Sequence, residues 1–110
     1  MPLSWGKRGH LKWIEIINAR LAFPSDTAEA ERLIADIRNS LMADEDKNVK
    51  LMIYRGLFVD SDWAIHLHRE TPGKPSGRTG LGIRLAETIR SVALVDHSIW
   101  IEDDETFSHY

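Results

Sequence analysis

Two histidines separated by a single residue form the pattern in this chain that most readily suggests chemistry. His66 and His68 lie in an apolar segment, and because side chains alternate along a β-strand, both would project from the same face. If Glu15 lies on a neighbouring strand and on that face, two imidazoles and a carboxylate could hold a divalent metal ion or act as an acid–base set. The favoured alternative is that the histidines form hydrogen bonds in an interface or a cavity wall, and no residue is assigned as a metal ligand.

Three aromatic residues, Trp13, Tyr54 and Trp100, could line a pocket for a flat or apolar ligand. The alternative is packing in a dimer interface, where aromatic residues are enriched, and the two roles are compatible if space remains between the subunits. The sequence identifies no catalytic residue and no cofactor. It predicts a ligand-binding set made of Trp13, Glu15, Tyr54, His66, His68 and Trp100.

A glycine-rich segment, GRTGLG at residues 77–82, precedes the second predicted helix. Backbone amides at a helix start can bind an anion, with Arg78 assisting, but the spacing is that of neither a dinucleotide fingerprint nor a phosphate loop with its lysine. A flexible connector is the favoured interpretation. Residues 71–80 contain two prolines and three glycines, and we expect them to be the most mobile internal segment.

Composition favours one soluble domain spanning residues 1–110, with its core at about residues 10–103. The 110 residues, 43% hydrophobic and 28% charged, suit a single core. A net charge of −3 argues against a nucleic-acid partner, no apolar run approaches membrane length, and the absence of cysteine excludes disulfides and thiolate catalysis. Because residues 1–8 lack an apolar stretch of signal-peptide length, we expect a cytoplasmic location. Acidic residues 102–105 are expected to form a solvated tail.

The hydrophobic pattern predicts six elements in a β-α-β-β-α-β order. Strands are predicted at about residues 10–20, 49–57, 62–70 and 96–102, and helices at about residues 27–42 and 80–92. The first helix is the clearest, because Asp26 and Glu29 form a capping-box pattern that an apolar stripe follows. Two right-handed crossovers around a hairpin give a ferredoxin-like α+β fold, with strand order 4-1-3-2 in an antiparallel sheet and both helices on one face.

Side-chain alternation divides the predicted sheet into a face toward the helices and an open face away from them. The helix face is predicted to carry Ile14, Ile16, Leu51, Ile53, Trp63, Ile65, Leu67, Ile99 and Ile101, with Arg55 and His97 on the same side. The open face is predicted to carry Trp13, Glu15, Ile17, Met52, Tyr54, Ala64, His66, His68, Ser98 and Trp100. In the hairpin, Tyr54 is predicted to pair with His66 and Ile53 with Leu67. Because so much apolar surface is unusual on a monomer, we expect a second copy of the chain to cover the open face.

The element order, the two faces and three segments resemble the dimeric α+β barrel superfamily, which includes the antibiotic-biosynthesis monooxygenases and the stress-responsive A/B barrel proteins. The segments are SDWAIHLH at residues 61–68, GLGIRL at residues 80–85 and VDHSIW at residues 95–100, and the resemblance covers about residues 10–103. It implies a homodimer whose sheets pack face to face into a barrel, with a cavity inside the barrel or between sheet and helices. No catalytic residue set of these families matches, so none is transferred.

The sequence leaves two functions open. The first is slightly favoured because no catalytic constellation is recognisable: a homodimeric module that binds a small organic ligand between its sheets, or that serves interaction alone. The second is a cofactor-free or metal-assisted enzyme of the monooxygenase-like kind, in which His66 or His68 is the base and Glu15 orients it.

Overall fold

The structure is a computed structural model that describes residues 10–43 and 49–103. Residues 1–9, residues 44–48 and the later part of the predicted acidic tail, residues 104–105, lie outside the described residues. Neither described helix has the combination of length and apolar character needed to cross a membrane.

The elements follow the predicted β-α-β-β-α-β order. They are strand β1 (Leu11–Leu21), a short 3-10 helix (Pro24–Asp26), helix α1 (Thr27–Ala43), strands β2 (Lys50–Arg55) and β3 (Asp62–Thr71), helix α2 (Gly80–Ile89) and strand β4 (Ala93–Ile101). Helix α2 ends three residues before its predicted end, because the N–H groups of Arg90, Ser91 and Val92 fold back onto the last helical carbonyls. Because the helix ends at Ile89, strand β4 can begin at Ala93.

The four strands form one antiparallel sheet in the order β2-β3-β1-β4, as predicted. Strands β1 and β3 are therefore the central strands, and β2 and β4 are the edges. The core contains residues of both helices together with Ile17, Ile65 and Leu67 of the central strands, which confirms that both helices pack on one face. The ferredoxin-like α+β fold is confirmed.

The core between sheet and helices is closely packed. Helix α1 contributes Ala30, Ile34 and Ile37, and α2 contributes Leu85, Ala86 and Ile89, in each case at helical spacing. A gap of only about 10 Å³ lies between these layers beside Ala19, Ile34 and Ile89. Such a gap holds at most one water molecule, so this part of the helix layer offers no room for an organic ligand.

The predicted face assignment of β1 is wrong. Directly opposed residues share a face, and β1 places Ile14 and Ile16 opposite His68 and His66. Ile14 and Ile16 therefore lie on the open face, and the odd-numbered residues of β1 lie against the helices. The composition of the whole strand explains this orientation. The odd-numbered positions include the apolar residues Leu11, Trp13, Ile17, Ala19 and Leu21, whereas the even-numbered positions include the polar residues Lys12, Asn18 and Arg20.

The remaining strands show their predicted faces. Ile99 and Ile101 lie opposite Glu15 and Trp13 on the helix face, and Trp100 lies opposite Ile14 on the open face. In the β2–β3 hairpin the register is shifted by two residues from the predicted one, because Tyr54 pairs with Ala64 and Met52 with His66. A shift of two keeps every side chain on its predicted face.

Candidate functional site

The open face brings together four of the six predicted ligand-binding residues: Tyr54, His66, His68 and Trp100. The rings of Tyr54 and His66 have centroids 4.8 Å apart with planes tilted by 58°. The ring of His68 follows at 6.0 Å from that of His66. Three rings thus form a ladder across β2 and β3, with Trp100 on the opposite edge strand.

Apolar and aromatic side chains remain accessible on this face. Trp100 is 59% exposed and Tyr54 47% exposed, while Ile14, Ile16 and Met52 are half-buried. Two shallow grooves mark the ends of the face. One, of about 570 Å³, is lined in part by Asn18, Arg20, Tyr54, Asp62, Leu94 and Asp96. The other, of about 500 Å³, is lined in part by Lys12, Ile14, His68, Glu70, Trp100 and Glu102.

The two histidines of the ladder differ in their surroundings. Partial burial lowers the pKa of His66 below its ordinary value, and the nearby His68 lowers it further. The neutral ring is therefore the preferred form of His66 near neutral pH. The Nε2 atom of His68 is buried and has no hydrogen-bond partner among the described residues, so it is a polar atom that this part of the chain leaves unsatisfied.

Glu15 is not part of this ladder. It lies on the helix face, fully buried, opposite Leu67 and Ile99. The predicted constellation of Glu15, His66 and His68 is therefore wrong, because the carboxylate and the imidazoles lie on opposite sides of the sheet. Trp13 also lies on the helix face, where it is buried and its indole N–H donates to the Thr71 hydroxyl at 2.8 Å.

A buried polar cluster surrounds Glu15 instead. His97 Nε2 lies 2.7 Å from Glu15 Oε2, and the Thr79 N–H donates to the same oxygen at 3.0 Å. The Thr79 hydroxyl donates to Glu15 Oε1 at 2.7 Å. With an ionised carboxylate, which only accepts hydrogen bonds, His97 Nε2 must carry the hydrogen in this contact. The carboxylate is thus satisfied inside the protein by three donors from two elements.

The same contacts fix the start of helix α2. Thr79 is the N-cap residue, and its hydroxyl accepts a hydrogen bond from the Gly82 N–H at 3.0 Å. A Cβ atom at Gly82 would overlap the Glu15 carboxylate, so glycine at this position permits the close approach. The anion at this helix start is therefore the carboxylate of Glu15. Arg78 binds elsewhere, since its guanidinium donates to the His97 carbonyl at 3.0 Å.

The open face lacks a metal-binding set. Within residues 10–43 and 49–103, no group of three or more histidine, aspartate or glutamate side chains is placed to hold a metal ion. Two histidines with ring centroids 6.0 Å apart remain, without the carboxylate that the sequence pattern suggested.

Sequence reasoning missed the pairing of Glu15 with His97 and Thr79. His97 was correctly expected on the helix side, and it lies opposite Ile17, which makes it a diagonal neighbour of Glu15 on the adjacent strand. The signal was present in the full alternation of β1. A face that is apolar at five positions and acidic at one predicts a buried carboxylate, which requires donors from the elements above it.

No protein-family model matches the chain, and no curated protein is similar enough to match it. Solved structures do match. The structure of a conserved protein from Methanosarcina mazei has 10% sequence identity and a TM-score of 0.64, over 87% of this chain and 97% of that chain. SnoaB, a cofactor-independent oxygenase from Streptomyces nogalater, has 10% identity and a TM-score of 0.59, over 84% of this chain and 94% of that chain.

A structure of an antibiotic biosynthesis monooxygenase has 12% identity and a TM-score of 0.53, over 82% of this chain and 96% of that chain. The chain shares the ferredoxin-like α+β fold of these structures. At identities of 10–12% the likeness concerns the fold, so the fold resemblance stated from the sequence is confirmed, and the activities of these proteins are not thereby assigned to this chain.

Proposed function

We propose that the protein is a homodimer that packs its two open faces into a closed barrel and binds a small organic molecule between them. The observation that carries this proposal is the accessible aromatic and aliphatic surface of the open face. A soluble monomer rarely leaves so much contiguous apolar surface in water. A second copy of the chain is the simplest partner, because a two-fold dimer buries the open faces of both protomers in a single interface.

The ligand-binding part of the proposal rests on the two grooves. Each is shallow on one sheet, but a second sheet packed over it would enclose its volume of about 500 or 570 Å³, within the usual range for a small-molecule site. Trp100 and Ile14 offer apolar contact, and the imidazole of His68, which lines the same groove, offers one directed hydrogen bond. This chemistry suits a mainly apolar or flat molecule with one polar group.

Replacing Trp100 with glutamate tests the dimer. A carboxylate buried in the interface without a partner should raise the dimer dissociation constant at least about 100-fold. Ile83 is the matched control, because it is also exposed and apolar, at 43%, but lies on helix α2. Ile83→Glu should leave the dissociation constant unchanged. Equal effects of Trp100→Glu and Ile83→Glu, measured by analytical ultracentrifugation, would contradict an open-face dimer.

Native mass spectrometry tests the ligand. The dimer purified from cells should carry an additional small mass that is lost on denaturation, and the monomeric Trp100→Glu variant should not carry it. A His68→Phe variant should remain dimeric but lose the mass, because the directed hydrogen bond is gone while the apolar surface is kept. A dimer that never carries additional mass would favour a module that serves interaction alone.

An enzyme is the second candidate, and one observation favours it. The lowered pKa of His66 favours its neutral form, which is the form a general base needs, and His66 lies in the same ring ladder as His68. A cofactor-free reaction in the barrel would then use a histidine as the base without Glu15. Turnover of a bound ligand that is lost in His66→Gln, while binding is kept, would support this candidate over the binding module.

A further inference from the structure

The turn between β2 and β3 presents three consecutive apolar residues to solvent. Leu57 is 83% exposed, Phe58 92% and Val59 45%. A run of exposed apolar residues weakens solubility and is normally kept only where it serves contact with another molecule. We refer to residues 57–59 as the hairpin tip.

The hairpin tip is held in a defined conformation. The Gly56 N–H donates to the Asp62 carbonyl at 2.8 Å, and the Asp62 N–H donates to the Val59 carbonyl at 3.0 Å. A side chain at Gly56 would collide with the Val59 carbonyl, so this turn requires glycine. Arg55 Nε closes the turn by donating to the Asp60 carbonyl at 3.1 Å. The apolar side chains are thus presented outward by an ordered turn.

The base of the hairpin lies at one end of the open face. Arg20 of β1 lies opposite both Asp62 and Leu94, so one strand, β1, separates the start of β4 from the base of the hairpin. Leu94 is 71% exposed on the open face, and it lines the groove of about 570 Å³ together with Tyr54 and Gly56. This groove therefore reaches the base of the hairpin at Gly56, next to the ion pair of Arg20 and Asp62.

We propose that the hairpin tip packs against the open face of a second copy of this chain, so that each protomer inserts Phe58 into a groove of its partner. This inference rests on the proposed open-face dimer and names a contact outside the sheets. One chain carries both an apolar projection and apolar grooves, which is the self-complementarity that a two-fold interface needs. A buried phenylalanine contributes roughly 150–250 Å², about a fifth or more of the roughly 800 Å² that each partner gives to a standard interface.

Charge around the hairpin tip disfavours an anionic membrane as the partner. Asp60 and Asp62 flank the tip in sequence, and the chain has a net charge of −3. The nearby arginines are already engaged: Arg20 forms a two-pronged ion pair with Asp62, and Arg55 pairs with Glu31. Binding of an apolar tip to an anionic bilayer is usually supported by a cationic surface.

Replacing Phe58 with serine tests the contact. The dimer dissociation constant should rise about tenfold or more, as expected for an aromatic residue that fills a pocket, and Ile83→Ser on helix α2 should leave it unchanged. If Trp100→Glu dissociates the dimer and Phe58→Ser does not, this inference fails and the open-face dimer stands. If the wild-type chain is a monomer, the proposed function itself fails and this contact fails with it.

Double-mutant cycles identify the groove and guard against an indirect effect. Phe58→Ser is combined with Leu94→Ser at the same end of the sheet and, separately, with Trp100→Ser at the other end. If Phe58 contacts one of the grooves, the two changes in that pair should not be independent. For that pair, the fold-change in dissociation constant of the double variant should be smaller than the product of the two single fold-changes, by a factor of about three or more. Simple multiplication in both pairs would overturn the inference. If Phe58→Ser abolishes binding to phosphatidylglycerol vesicles but leaves the dimer dissociation constant unchanged, the partner of the hairpin tip is a membrane and the inference is overturned.

Discussion

The Glu15 carboxylate lies in the centre of the helix face with no exposure to solvent. A buried charge is tolerated only where hydrogen bonds replace its lost hydration, and here Thr79 and His97 provide them. Through these hydrogen bonds, the side chain of Glu15 on β1 connects the start of α2 with β4. Glu15 therefore positions elements of the fold, whereas the rings of Tyr54, His66 and His68 lie on the other side of the sheet.

Gly82→Ala should destabilise the protein although it improves helix propensity. The added methyl group would overlap the Glu15 carboxylate, and about 1–3 kcal/mol of overpacking exceeds the gain of up to about 1 kcal/mol from replacing glycine in a helix. Urea unfolding measures the change in free energy.

Gly80→Ala is the matched control for that substitution. A Cβ atom at Gly80 would meet only the end of the Arg84 side chain at 3.6 Å, so Gly80→Ala should be neutral or stabilising by up to about 1 kcal/mol. In a Glu15→Ala background, Gly82→Ala should lose most of its cost, because the overlapping carboxylate is gone. Equal effects of the two alanines in the wild-type background would show that Glu15 does not occupy this space.

His66 should make the protein less stable as the pH falls. Its pKa in the folded protein lies below the ordinary value of 6.5, first through burial and then through His68. The unfolded chain therefore binds more protons at this site, and the stability contributed by the neutral ring is present above pH 6.5 and is lost as the pH falls toward the folded-state pKa.

The measurement compares the free energy of unfolding at about pH 7.5 and about pH 5. His66→Gln should reduce the loss of stability on acidification relative to the wild type. A His66→Gln variant with the same pH dependence as the wild type would refute this assignment.

At the scale of elements, the sequence predicted the number, order and type of strands and helices because their periodicities extend over whole segments. The apolar stripe of α1 and the alternation of β3 needed no tertiary information. The face of β1 is mispredicted from Ile14 and Ile16 alone, because a central strand can carry isoleucine on both sides. The contact of Thr79 with Glu15 could not be predicted, because it joins residues 64 positions apart across two separate elements.

The connection from β3 to α2 should divide into a rigid and a mobile part. The Thr79 N–H is held by Glu15 and the Gly82 N–H by the Thr79 hydroxyl, whereas residues 72–74 and 76–78 are exposed. Hydrogen exchange should therefore be slow at Thr79 and Gly82 and fast at residues 73, 74, 76 and 77. Glu15→Gln should accelerate exchange at Thr79 specifically. Slow exchange throughout residues 73–78 would show that the whole connector is packed and would refute the predicted mobility.

In the molecule as a whole, the two faces of the sheet differ in how they are covered. The helix face packs against the core and the Glu15 cluster, whereas the grooves of about 570 and about 500 Å³ lie at the ends of the open face. That face is incomplete on one chain, because its grooves are shallow and its aromatic residues are half exposed. Pairing two open faces would complete the grooves, cover Trp100 and Tyr54, and give the exposed hairpin tip a partner.

Sedimentation equilibrium of the unmodified chain measures whether two open faces pair in solution. Over a range of about 1 to about 100 micromolar, where a two-fold interface of standard size should be populated, we expect a species of twice the 12.6 kDa mass of the chain. Its mass should not increase further at the upper end of the range, since a two-fold interface is closed. A single species of 12.6 kDa across the whole range would refute the open-face dimer.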